Sequence, residues 1–175
     1  MRGETNKEKL QALMAALGQR VTGPGRIYLT GGATALLYGW RTSTIDVDIK
    51  SDPEPPGLFE ALAELKDELD INVELAAPDD FIPPLPGWRD RSLFVARHGS
   101  VDFFHYDPYG QALSKLQRGH DRDRSDVRGL LENKLIRVSA LLEMFSQIEP
   151  ELIRYPAIDP ESFRAVVMAF VHDNQ

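Results

Sequence analysis

Two aspartates placed two positions apart, Asp46 and Asp48, are the first residues in this chain whose types and spacing suggest chemistry. On an extended segment, side chains at i and i+2 leave from the same face, with Cα atoms ~6.6 Å apart. Two carboxylates so placed can hold one divalent cation. Spacing alone does not single the pair out, because acidic-x-acidic occurs six times, starting at Asp46, Asp52, Glu68, Asp121, Glu149 and Asp159. Context does: Ile45, Val47 and Ile49 alternate with Asp46, Asp48 and Lys50, as on a half-buried strand. Fourteen residues before Asp46, Gly31-Gly32 follows a short apolar segment and precedes a helix-forming one. Glycine there lets a phosphate approach the backbone N–H groups closely. Taken together, the two elements suit a nucleoside triphosphate on the glycine amides, with Mg²⁺ (or Mn²⁺) between phosphate and carboxylates.

A third cluster runs from Lys115 to Asp126. Lys115 and Arg118 are i, i+3 neighbours on a helix whose Leu113 and Leu116 can face a core, so two cations share a face that can hold phosphate or can end as a solvated helix terminus. Asp123 or Ser125 can cap the next helix. Asp102, in the middle of an extended segment, can supply a third carboxylate or stand on an exposed edge. His98, His105, His120 and His172 lack the spacing of a zinc site, and no P-loop, G-x-G-x-x-G or G-x-S-x-G motif is present.

Composition narrows the classes. The chain has 175 residues, 42% hydrophobic and 27% charged, which fits an ordinary globular protein and no membrane partner. Its opening 20 residues are charged and helix-periodic, not signal-like, so a cytoplasmic location is expected. Zero cysteines exclude disulfides and thiolate metal sites, leaving oxygen or imidazole ligands. A net charge of −7 opposes general nucleic-acid binding but permits a local basic patch.

The elements that position these residues follow from periodicity. A helix is expected over 5–17, ending at Gly18, then a strand over 26–30 and a helix over 33–38. The alternating strand 44–50 comes next, then a helix over 58–69 and a strand over 71–75. Residues 76–88 hold four prolines and a glycine and read as a long loop. A hairpin over 92–97 and 101–106 precedes helices at about 108–118, 124–145 and 160–172, the first and last begun by Asp-Pro. The fold class is α/β (α+β), a small mixed β-sheet flanked by helices, with a C-terminal helical segment. The expected division is a core over 1–127 with helices over 128–175 packed on it as a single compact domain.

Leu29-Thr30-Gly31-Gly32, then Gly39, Arg41 and Thr44, then Asp46-Val47-Asp48-Ile49 resemble the hG[G/S]…DhD signature of the DNA-polymerase-beta-like nucleotidyltransferases. Lys115-Leu116, Arg118-Gly119, Asp123 and Asp126-Val127 resemble the K-L…R…D…D motif of minimal nucleotidyltransferases related to abortive-infection toxins. The matches cover about 30–127. The resemblance implies that Asp46 and Asp48 hold Mg²⁺ and that Gly31 and Gly32 cradle the β- and γ-phosphates, with Arg41 and Thr44 in the nucleotide-binding signature. Lys115 and Arg118 would neutralise triphosphate charge, and Asp123 or Asp126 would be the motif's terminal acid. Asp102 matches the strand position of the third carboxylate in polymerase-type members, so that ligand stays open between Asp102 and the Asp123/Asp126 pair. Gly-Gly replaces the Gly-Ser of many active members, which removes a hydroxyl unless Thr30 or Thr34 supplies one.

The implied activity is transfer of a nucleoside monophosphate from a nucleoside triphosphate to a hydroxyl of RNA, protein or a small molecule, in a component of a toxin–antitoxin pair. The rival is a degenerate nucleotide-binding or protein-interaction module of the same fold. The apolar stripes around Leu141–Ile148 and Phe163–Phe170 suit packing on the core, a homodimer or a protein partner.

Overall fold

The computed structural model describes residues 2–175. Its elements are α1 (Lys7–Arg20), β1 (Gly25–Thr30), α2 (Gly32–Tyr38), β2 (Asp46–Ser51), α3 (Leu58–Glu68), β3 (Asn72–Leu75) and α4 (Trp88–Arg91). After these come β4 (Leu93–His98), β5 (Val101–His105), α5 (Pro108–Arg118), α6 (Asp121–Glu132), α7 (Val138–Ile148) and α8 (Pro160–Asp173). Two compact units result: Met1–Ala77 with Ser92–Tyr106, and Pro78–Arg91 with Asp107–Gln175.

The first unit is a five-stranded mixed sheet in the order β3-β2-β1-β5-β4. β1 runs antiparallel to β2 and parallel to β5, β2 parallel to β3, and β4 antiparallel to β5. Alternation divides the strands between two faces. Ile27, Leu29, Val47, Ile49, Val101 and Phe103 bury one face against Leu10, Leu13 and Leu17 of α1, Leu36 of α2 and Leu58, Leu62 and Leu65 of α3. Asp46, Asp48 and Lys50 occupy the other face beside Thr30 and Tyr28.

Asn6 caps α1 by accepting from the Lys9 N–H at 2.9 Å. The helix runs through Gly18 to Arg20 instead of ending at the glycine. Gly18 serves packing: a Cβ there would meet the backbone and side chain of His98.

The second unit is helical. Asp107 caps α5 by accepting from the Tyr109 N–H at 3.1 Å, and Pro108 fills the first turn, where a missing N–H costs nothing. The segment 124–145, expected as one helix, is two. Lys134 adopts a left-handed conformation (φ 60°), and the Lys134 and Leu135 N–H groups close α6 onto the Leu131 and Leu130 carbonyls, each at 3.0 Å. The apolar stripes of α7 and α8 meet within this unit, with Phe145 and Phe163 edge to face at 4.9 Å and Leu141, Ile148 and Val167 buried. The proline-rich loop carries a 3₁₀ turn at Pro78–Asp80 and buries Ile82 and Leu85. Among the described residues no helix is long and apolar enough to cross a membrane.

Candidate active site

In the first unit, β1 ends at Thr30 and the chain turns through Gly31, whose backbone (φ 62°, ψ −126°) lies where a side chain is strongly disfavoured. Gly32 then opens α2, and a Cβ built on it would lie 2.7 Å from Thr44 Cβ and closer still to Thr44 Oγ1. The two glycines therefore answer different demands, the first a backbone conformation and the second a close approach. The buried Thr44 hydroxyl, donating to the Asp46 carbonyl at 3.1 Å, occupies the space that a residue-32 side chain would need. Thr34 Oγ1 is instead engaged with His105 Nδ1 at 2.9 Å, and Thr30 is buried. Since α2 has only seven residues, any phosphate here would rest on the amides of the turn more than on a long helix dipole.

Register brings the carboxylates to this turn. Thr30 pairs with Asp48, so β2 lies beside the end of β1, and Asp46 lies further along, towards Thr44. Both aspartates are partly exposed on the sheet face away from the apolar core. On the far side of β2, Asp46 pairs with Asn72 and Asp48 with Glu74. The Asn72 side-chain amide donates to Asp46 Oδ1, which fixes one carboxylate oxygen. Arg41, in the loop that joins α2 to β2, donates its backbone N–H to the Ala35 carbonyl at 3.4 Å.

Asp102 does not join this group. It pairs with Arg26, four residues before Thr30 on β1, which puts it on the same face but ~13 Å away along the strand. There it lies 3.7 Å from the Arg97 guanidinium. The β5 residue that reaches the carboxylate end of the sheet is His105, paired with Leu29. It is buried beside Thr34, with the Tyr38 ring at 4.9 Å, and burial pushes its pKa down to about 4, so it is neutral at physiological pH.

Asn72 and Glu74 are not singled out by the sequence, and His105 stands there only among histidines without zinc-site spacing. Asn72 and Glu74 do alternate with Val73 and Leu75, but nothing local tells which strand they adjoin.

The remaining candidates meet one another in the second unit. Lys115 Nζ lies 2.7 Å from Asp126 Oδ2 and 3.7 Å from Asp123 Oδ1, and Arg118 Nε donates to Asp123 Oδ2 at 2.8 Å while its Nη2 contacts Oδ1. Both carboxylates and Lys115 are buried. Burial pushes the Asp123 pKa up, but the Arg118 hydrogen bonds and charge, with the Lys115 charge, outweigh it and hold the carboxyl below its ordinary range. In the same unit Asp107, fully buried, sits 2.8 Å from the Arg91 guanidinium; burial raises its pKa and Arg91 opposes the rise.

Asp46 and Asp48 supply hard oxygen donors from one face, the chemistry that Mg²⁺ takes when one or two carboxylates are joined by substrate phosphates. Among the described residues no group of three or more acidic or histidine side chains is placed to hold a metal ion.

No curated protein and no solved structure matches the chain. A family model described as "Nucleotidyltransferase of unknown function (DUF6036)" matches residues 8–175, nearly the whole chain. With the glycine turn and the paired carboxylates at one end of its sheet, the chain belongs to this nucleotidyltransferase family.

Proposed function

We propose that this protein transfers a nucleoside monophosphate from a nucleoside triphosphate to a hydroxyl of an RNA, protein or small-molecule acceptor. The observation that carries the reading is the Thr30–Asp48 register, which sets the Gly31-Gly32 turn beside the two carboxylates of β2. In this reading the turn's amides bind the phosphates without a serine hydroxyl, Thr44 packs against Gly32 where a side chain would otherwise stand, and Asn72 orients Asp46. The acceptor hydroxyl gives up its proton to solvent as its oxygen attacks the α-phosphorus in line, the bond from that phosphorus to the bridging oxygen breaks, and pyrophosphate leaves. Mg²⁺ or Mn²⁺ held by Asp46 and Asp48 would neutralise the triphosphate and lower the pKa of the acceptor hydroxyl.

Incubation of the protein with Mg²⁺ or Mn²⁺, each α-labelled nucleotide and a mixture of RNA and protein tests this, beside Asp46→Asn/Asp48→Asn. Label transferred by wild type alone is the expected result, and equal labelling by the double variant overturns the reading.

One observation favours a second reading, a nucleotide sensor or partner-binding module of the same fold: although Glu74 pairs with Asp48 across the strands, no group of three or more acidic or histidine side chains among the described residues is placed to hold a metal ion. Calorimetry separates the two, because nucleotide binding without any transfer selects the sensor. The toxin–antitoxin role rests on the resemblance alone. Growth arrest on expression that vanishes in Asp48→Ala supports it, and harmless wild-type expression counts against it.

A further inference from the structure

The chain is acidic overall, yet residues 120–137 expose five cations, Arg122, Arg124, Arg128, Lys134 and Arg137, against two exposed carboxylates, Asp121 and Glu132. None of the five side chains has an ion-pair partner among the described residues. This departs from the rest of the second unit, where Arg91, Arg118, Arg154 and Arg164 all face carboxylates. The carboxylates nearest in sequence, Asp123 and Asp126, are buried and committed to Arg118 and Lys115.

The placement is also locally unfavourable. Arg124 and Arg128 are like charges one turn apart on one side of α6. Arg122 and Arg124 sit near the positive end of the helix, while its last turn carries no basic residue. Lys134 occupies a left-handed position where glycine or asparagine is the usual choice. Charges kept against local preference mark a surface that answers to something outside the chain.

We infer that the exposed face of α6 and the turn after it bind the phosphate backbone of RNA. The cations are too widely spread for one nucleotide, since the helix advances ~15 Å from Arg122 to Glu132 and Lys134 and Arg137 lie beyond it. Partners of this spread and sign are polyanions, and arginine suits phosphate in particular. The choice of RNA rests on the proposed reaction, which needs a hydroxyl acceptor that RNA carries on every ribose.

Filter binding of wild type and Arg122→Gln/Arg124→Gln/Arg128→Gln to a single-stranded RNA and a hairpin RNA, from 50 to 200 mM salt, tests the inference. The triple variant should bind at least tenfold more weakly at the lower salt. Its slope of log K against log salt should fall by roughly two, at about 0.7 for each phosphate that is no longer neutralised. Arg164→Gln, which removes an arginine paired with Glu149, should bind as wild type does, and circular dichroism should show the triple variant folded. Equal RNA binding by wild type and triple variant overturns the inference, as does tighter binding to duplex DNA than to either RNA.

The two readings fail separately. RNA binding that follows the arginines in a protein that transfers no nucleotide overturns the reaction and leaves the surface. Transfer to protein or a small molecule without RNA binding overturns the surface and leaves the reaction.

Discussion

At the scale of single residues, the candidate site depends on side chains that do no chemistry themselves. Asn72 holds one oxygen of Asp46, and under the proposed function it would act as the partner of a metal ligand. Asn72→Ala should therefore lower transfer by roughly 10–100-fold and raise the Mg²⁺ concentration needed for half-maximal rate. A loss of rate without any change in that Mg²⁺ dependence would place Asn72 outside the metal-binding role. His105 makes a different demand. Its pKa of about 4 in the folded state lies below the ~6.5 of an unfolded histidine, so the unfolded chain takes up the proton first as pH falls. The stability contributed is complete above pH ~6.5 and is lost between ~6.5 and about 4, on the order of 3 kcal/mol in all. Urea unfolding of wild type and His105→Gln across that window should show a steeper decline for wild type, and parallel curves would refute the assignment.

At the scale of elements, the buried cluster on α5 and α6 joins two helices through charge. Lys115→Met removes the cation closest to the buried Asp126 carboxylate and should cost ~3–5 kcal/mol, while Lys115→Met/Asp126→Leu should recover most of it. Thermal unfolding of both variants checks the stability. Transfer by the refolded double variant then reports the ammonium's own part, which the nucleotidyltransferase resemblance expects to be large. Undiminished transfer would leave Lys115 with the structural task alone. The split of residues 124–145 into α6 and α7 belongs to this scale too. Neither glycine nor proline marks the break, because the helix is closed by a lysine in a conformation that sequence statistics assign to other residues.

At the scale of the whole molecule, the carboxylates and glycine turn belong to one compact unit and the Lys115 cluster and arginine face to another. Nucleotide with Mg²⁺ at ~100 times its dissociation constant should stabilise the whole chain, unfolding as one, by ~2.7 kcal/mol. Scanning calorimetry should show a rise of roughly 5–11 °C that chelation of the metal reverses. The Asp46→Asn/Asp48→Asn variant should show no such rise, and an equal rise in both proteins would move the nucleotide away from β2.

The sequence by itself determined the local devices: the alternating strand that puts Asp46 and Asp48 on one face, the glycine turn before α2, the Asp107-Pro108 start of α5 and the apolar stripes of α1 and α3. Each repeats with the period of its own element or sits at a turn, so neighbouring residues suffice to read it. Only the tertiary structure decided that β1 lies between β2 and β5, that Asn72 and Glu74 adjoin the two aspartates, and that Asp102 faces the far end of the sheet. It also decided that Lys115 and Arg118 meet Asp126 and Asp123. Strand order and register join residues far apart in the chain, as Asn72 to Asp46 and His105 to Thr34. Such pairings follow from which apolar faces pack together across the whole unit, which no window of sequence contains.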